Sequence, residues 1–253
     1  MSFTERDNMN FWEKRAGEHP DSWRAGSNDE LLVELEVATL AKHLKRAGCR
    51  QVLDIGCGNG ATIRSLVKQG VKCQLSGMDF SPSMVKAAMK LSRHTFVEGD
   101  ASCFNLSKKY DAAYSVRCLI NLETAKKQVS ALKCIANHLK PGALYYCVEP
   151  FREGVDEINR VRMQNKLEAI EMPWHNNYLS MKVIYASKTF FKVVGVEHFA
   201  STYYLASRLF NALSARQMKR NPKYRDPINL ASAKMPVLGE YAPHRLVILQ
   251  KTK

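Results

Sequence analysis

The sequence has no uninterrupted apolar stretch near the roughly 18 residues that a membrane-crossing helix needs, so no such span is expected. Its opening, "MSFTERDNMNFWEKRA", is of mixed charge and lacks an apolar segment, and no secretory signal is read there. The seven cysteines (Cys49, Cys57, Cys73, Cys103, Cys118, Cys134 and Cys147) have no metal-ligand spacing and are odd in number. That argues against a zinc centre or a disulfide framework and for reduced thiols in a cytoplasmic protein. Repeats, low-complexity linkers and a Ser-His-Asp pattern are also missing, which sets aside solenoids and that hydrolase chemistry. Acids are scarce: 24 Asp plus Glu stand against 38 Lys plus Arg, a formal charge of +14. From Tyr178 to Lys253, 13 basic residues oppose 3 acids, a difference of +10. Such a region is either a solvated face or an attractor for an anionic partner: an anionic small molecule, nucleic acid or an acidic membrane surface.

What is present reads as one large α/β domain, or a domain with an insertion, at 253 residues and 45% hydrophobic content. Between about Asn28 and Lys45 the apolar residues Leu32, Leu35, Val37, Leu40 and Leu44 recur at helical spacing behind a "SND" cap. Short apolar runs then alternate with helical stretches. "QVLDIG", "CQLSGMDF", "HTFVEGD", "YDAAYSV" and "ALYYCVEPF" read as strands, and the segments between most of them as helices, the last stopped by Pro141-Gly142. Strands separated by helices imply a doubly wound, mostly parallel sheet. After Phe151 the rhythm changes. "SMKVIYASKTFFKVVG" reads as helix, "VEHFASTYY" as strand, about 40 basic residues as mostly helix, and "HRLVILQ" as the final strand.

The chemistry-bearing signal is "VLDIGCGNGA", which joins the first strand to a helix. Gly56, Gly58 and Gly60 allow a sharp turn and a close backbone approach to a ligand at the carboxyl ends of the strands. Asp79 ends the second strand, 25 residues after Asp54, where a carboxylate suits a ribose diol. The pattern also fits a dinucleotide fingerprint with alanine in its last place. Asp54, two residues before the first glycine, favours a cofactor bearing positive charge over a pyrophosphate. Asp100, in "VEGDAS", is placed to accept from an adenine amino group.

"VLDIGCGNG", "GMDFSPSMV", "VEGDAS", "YDAAYSVRCLINL" and "LKPGALYYCVEPF" stand in the order and spacing of class I S-adenosylmethionine-dependent methyltransferases, which the sequence resembles over roughly residues 30–150. The resemblance implies a seven-stranded sheet with its last strand antiparallel and S-adenosylmethionine as cofactor. It implies that Asp54 and Gly56, Cys57, Gly58, Asn59 and Gly60 lie against the methionine portion and that Asp79 binds the ribose. Phe80 and Met84 would flank the adenine, Asp100 and Ala101 bind its edge, and Ser115, Val116 and Arg117 line the sulfonium side. "FWEKRA" and "SWRAGSND" resemble a lid, in which Phe11, Trp12, Arg15, Trp23 and Arg24 either shield the cofactor or merely anchor a helix. More loosely, "LINL" and "PWHNNYL" are similar to methyltransferases of bacterial surface-polysaccharide and other small-molecule pathways. The expected division is a lid segment at 1–30, a cofactor-binding Rossmann-like core at 31–151, and cap insertions with the last two strands at 152–253.

In this family the segment after the fifth strand overhangs the methyl group. "EMPWHNNYLSMK" is therefore expected at the acceptor, with His175 as the base, Glu149 second, Trp174 and Tyr178 as stacking walls and Asn176 or Asn177 as hydrogen-bonding holders. The other reading of His175 is a buried, structural ring. Tyr203 and Arg208 are further acceptor-binding candidates, within a helical cap whose Arg216, Lys219, Arg220 and Lys223 reach an anionic partner. No "NPPY" or "DPPY" comes after the fourth strand, no Pro-Cys pair offers a nucleophile, and no second acid accompanies Glu149 to hold a metal. The sequence thus reads as an O-directed methyltransferase of a sugar or glycan-linked acceptor. An RNA methyltransferase using the basic third, and a non-catalytic cofactor- or RNA-binding module, are the alternatives.

Overall fold

A computed structural model describes residues 3–252. Helix α1 (Glu5–Glu18) starts at a capping box in which Thr4 and Asp7 satisfy each other's backbone N–H groups. A short 3-10 turn, Trp23–Ala25, comes next, and then α2 (Glu30–Ala47), capped by Asp29 and ended by Gly48 in the left-handed conformation. Strands β1 (Gln51–Ile55), β2 (Gln74–Asp79), β3 (Thr95–Glu98), β4 (Tyr110–Val116) and β5 (Leu139–Pro150) alternate with α3 (Ala61–Lys68), α4 (Pro82–Leu91) and α5 (Ala125–Asn137). Beyond them lie α6 (Arg152–Gln164), α7 (Met181–Ala186), β6 (Phe191–Glu197), α8 (Ser201–Leu205), α9 (Asn211–Gln217), α10 (Pro227–Ser232) and β7 (His244–Lys251).

The seven strands form one sheet in the order β3-β2-β1-β4-β5-β7-β6. All of the pairs from β3 to β5 are parallel, and β7 runs antiparallel to both neighbours. This is the doubly wound sheet with an antiparallel last strand that the sequence implies. Each face is covered by its own apolar cluster, one against α2 and α3, the other against α5 and α7. Central strands are buried on both faces, as in β1, where every residue from Val52 to Ile55 is buried.

Two expectations fail at the sheet edge. The helix read across residues 180–195 ends at Ala186, and the strand read at 196–204 lies earlier, at Phe191–Glu197. Burial alternates along "FKVVGVE", which suits an edge strand with one covered face. In "FASTYY", Phe199, Tyr203 and Tyr204 are buried at i, i+4 and i+5, the spacing of a helix face. Leu139 to Pro150 also continue as a strand through Pro141-Gly142, with a register shift against β4 between Tyr110 and Ala112.

Candidate active site

The order reverses between β1 and β4, and there the carboxyl ends of β1 to β4 open into a cavity of about 1210 Å³ including its mouth. Its floor is the glycine loop. Gly56, Gly58 and Gly60 all have positive φ (73°, 52° and 74°), and Gly56 and Cys57 both donate their N–H to the Met78 carbonyl. At Gly58 a Cβ would touch nothing nearer than Met84 Sδ at 3.9 Å and would project into the cavity. A Cβ on Gly56 would collide with Cys118.

Asp79 binds the loop directly: Oδ2 accepts from Gly58 N–H at 2.8 Å and Oδ1 from Ser81 N–H at 3.0 Å. Burial raises its pKa to about 6 against these hydrogen bonds. Asp100 accepts from Ser102 N–H (2.7 Å) and its hydroxyl (2.9 Å). Phe80, Met84, Ala101, Val116, Arg117, Cys57 and Asn59 complete the walls, together with Asp79 and Asp100.

Helix α1 roofs the cavity with Glu5, Asn8 and Trp12, and the following turn adds Trp23. Asn59 fixes this roof by donating to the carbonyls of His19 (3.1 Å) and Ser22 (2.8 Å). Glu13 reaches across to the Ser81 hydroxyl at 2.5 Å and to Ser83. Lys127 is neutralised by Glu5 (2.8 Å) and Glu123 (3.1 Å), and Arg117 by Glu36. Among the described residues neither Asp79 nor Asp100 has such a cation, each being held by N–H or hydroxyl donors, so the lining suits a ligand with positive charge. Among the described residues, three buried polar atoms of the cavity lack a partner: Asn8 Oδ1, Trp12 Nε1 and Asn121 Oδ1. Each costs about 1–3 kcal/mol if left unpaired, and a polar ligand with donors and acceptors would satisfy them. The residues therefore fit a nucleoside-bearing cationic cofactor.

Several residues singled out in the sequence lie elsewhere. Asp54 is buried behind the loop, where it accepts from the Tyr114 hydroxyl at 3.0 Å and burial holds its pKa well above the usual range. Gly60 packs against Phe96 and Ala88. Ser115 is buried between the Tyr145 hydroxyl (2.7 Å) and Glu149 (2.5 Å). The Arg15 guanidinium binds the carbonyls of Ala25 and Arg24, so it braces the lid turn from outside the cavity. Arg24 stacks over Trp23, 5.6 Å from its ring centre.

His175 is not a wall of this cavity either. Its ring stacks on Phe11 with centroids 4.0 Å apart, and Trp174 and Trp12 meet it edge-on. Burial, then the charge of Arg15, lowers its pKa to about 4. Trp174 is exposed, and Asn176 Oδ1 is buried without a partner. Asn177 clasps the turn after β4, donating to the carbonyls of Ile120 (2.6 Å) and Leu122 (3.1 Å). Glu149 is fully buried. Its Oε1 accepts from Ser115 and from the N–H groups of Cys118 (3.0 Å) and Leu119 (3.1 Å), while burial raises its pKa to about 7. It pins the turn that carries Arg117. Tyr203 and Arg208 both bind Asp29, at 2.6 and 2.7 Å, and Arg208 lies between the rings of Tyr204 and Tyr224. Tyr178 lies among Tyr204, Arg208 and Arg117, and burial raises its pKa. Asn8, Asn121 and Lys127 were not legible as cavity residues, because lid-to-turn contacts such as Asn8 to the Asn121 carbonyl span 113 residues.

Residues 52–142 match the family described as a methyltransferase domain. The chain is 35% identical over 128 residues to a provisionally named methyltransferase of Invertebrate iridescent virus 6, covering 49% of this chain and 44% of that one. It is 31% identical over 127 residues to the ubiquinone biosynthesis O-methyltransferase of Xanthomonas euvesicatoria pv. vesicatoria, covering 47% and 52% respectively. The chain spans about half the length of the curated relatives it matches. The N-methyltransferase NodS of Bradyrhizobium japonicum, solved with S-adenosyl-l-homocysteine, shares the fold with a TM-score of 0.57 over 96% of this chain and 98% of that one, at 13% identity. Over residues 52–142 the chain matches a methyltransferase domain, and its fold is the one that NodS has.

Proposed function

We propose that the protein transfers a methyl group from S-adenosylmethionine to a small-molecule acceptor, and that the acceptor atom is an oxygen on a sugar or glycan-linked molecule. The observation that carries the first part is the acid-lined cavity between the glycine loop and α1, with Asp79 and Asp100 at the ends of β2 and β3. S-adenosylmethionine, when bound, supplies a methyl group already activated by its sulfonium leaving group. The chain's own work is then to bind, align and exclude water. Asp79 would accept from the ribose hydroxyls, Phe80 and Met84 would flank the adenine, and Asp100 would take its amino group. Trp12 and Trp23 would keep water out from above.

The acceptor would approach over the ends of β4, β5 and β7, beyond Arg117, where Tyr178, Tyr204 and Arg208 converge. In this reading His175 and Phe11 hold α1 down, and Glu149 keeps the Arg117 turn in place. The oxygen-directed part has support from the 31% identity to an O-methyltransferase across 47% of the chain, while the fold is shared with an N-methyltransferase. An RNA acceptor is the second reading, because Arg216, Lys219, Arg220 and Lys223 are all exposed. Tritiated-methyl S-adenosylmethionine, offered with glycan, nucleotide-sugar and RNA pools, separates the outcomes. Label in a sugar supports the proposal, label in RNA promotes the second reading, and binding without transfer to any pool leaves a cofactor-binding module.

A further inference from the structure

Behind Arg117 lies a group of buried titratable side chains that the cofactor site does not use. Glu36 comes from α2 and His244 from the first position of β7. Arg117 Nη1 donates to Glu36 Oε2 at 2.5 Å. The other carboxylate oxygen, Oε1, is buried and has no hydrogen-bond partner among the described residues. His244 Nε2 lies 4.0 Å from that oxygen, too far for a hydrogen bond, and its Nδ1 is unpartnered as well. Glu36 has no exposed surface and His244 only 7%. Arg117, moreover, has φ of 54°, a left-handed conformation that non-glycine residues rarely adopt.

A purely structural ion pair would be expected to use both carboxylate oxygens, since a buried acceptor left unmade is costly. This one keeps an oxygen free, and its partner Arg117 is also a wall of the cofactor cavity. Around Glu36 stand Arg117, His244 and two further acids, Asp29 and Glu149. Around His244 stand Arg117 and Arg208, with the Tyr204 ring 5.9 Å away. Burial raises Glu36 to about 7, with Arg117 opposing and the two acids adding to it. Burial and the two guanidiniums hold His244 neutral. Of the two, Glu36 is the better resting place for a proton near neutral pH.

We infer that Glu36, with His244 beside it, receives the proton released by the acceptor, and that Arg117 orients the carboxylate for that purpose. The inference rests on the methyl-transfer reading. As the acceptor's lone pair bonds to the methyl carbon, the carbon–sulfur bond breaks and its electron pair stays on sulfur. The acceptor's O–H or N–H proton ends on Glu36. One positive and one negative charge are thereby both removed.

The test combines a titration that needs no acceptor with a kinetic one. In protein labelled with carboxyl-¹³C glutamate and saturated with S-adenosylhomocysteine, two carboxyls, those of Glu36 and Glu149, should titrate near pH 7. The Glu36 signal should vanish in Glu36→Gln and move in His244→Gln, and Glu149→Gln should remove only the other. With the acceptor found by the labelled-methyl screen, Glu36→Gln should lower turnover roughly 10²-fold or more. Both Michaelis constants should stay within about threefold, and the rate should no longer rise through pH 7. Should Glu36→Gln not fold, His244→Gln, which leaves the Arg117 pair intact, carries the same kinetic expectation. A Glu36 ionised throughout pH 5–9, or a folded variant that keeps its turnover and pH limb, overturns the inference. Failure of the wild type to bind S-adenosylmethionine instead overturns the methyltransferase reading, and the titration still reports on the pair.

Discussion

Asn59, in the glycine loop, donates its side-chain N–H to the carbonyl of Ser22 at 2.8 Å, and so ties the cavity floor to the end of its roof. The same amide group reaches His19, while Asn59 Oδ1 accepts from Ala61 N–H at the start of α3. Asn59→Ala removes all three links. The lid should open more often: amide exchange in residues 5–25 should speed up, and cofactor affinity should fall several-fold with the sheet's own protection unchanged. Equal exchange in the two proteins would show that the lid is held by its aromatic contacts alone.

Asp79→Asn keeps the shape but removes the charge that would accept from the ribose. A charge-assisted hydrogen bond contributes about 1.5–3 kcal/mol, so affinity for S-adenosylmethionine should fall tenfold or more. The pKa of about 6 gives the sign of the pH effect. The ionised form is the one that accepts, so wild-type affinity should weaken as pH falls below about 6, and Asp79→Asn should lose that dependence. Calorimetric titrations at pH 5, 6 and 7.5 check both parts.

Gly58→Val tests the loop from the other side. Its φ of 52° penalises any side chain, and the new Cβ would stand in the cavity rather than against protein. Binding should disappear while the melting temperature drops by only a few degrees. A variant that still binds would place the ligand away from the loop.

Glu149 should behave differently under two substitutions. Glu149→Ala leaves the N–H groups of Cys118 and Leu119 without their side-chain acceptor, at about 1–3 kcal/mol each for groups that stay buried, while the Ser115 hydroxyl keeps Tyr145. Glu149→Gln retains an acceptor. Because burial raises the folded-state pKa to about 7 from an ordinary 4.5, this carboxyl contributes most below pH 4.5 and its contribution is lost as pH rises to 7. Glu149→Gln should therefore flatten the stability–pH curve over that interval, and denaturant melts at pH 5 and 8 measure it.

Much of this was legible in the sequence, for physical reasons. The glycine loop, Asp79 and Asp100 are local signals at strand ends, and their places are set once the strands alternate with helices. The edge of the sheet was not, because "TFFKVVGVEHFASTYY" offers apolar residues that suit either period until its neighbours choose between them. Nor could the sequence show that Arg15 is occupied by the carbonyls of Arg24 and Ala25, or that His175 stacks on Phe11. Glu36, Arg117 and His244 come from three distant segments, so neither spacing nor motif joins them.

Everything proposed for this protein depends on the cavity between the glycine loop and α1 binding S-adenosylmethionine. Isothermal titration of the wild-type protein with S-adenosylmethionine, beside NAD as a competitor for the same kind of fold, is the decisive measurement. Saturable one-site binding of S-adenosylmethionine is predicted, weakened at least tenfold by Asp79→Asn and abolished by Gly58→Val, with no response to NAD. Tight NAD binding and none of S-adenosylmethionine, or S-adenosylmethionine binding that neither substitution alters, would contradict it.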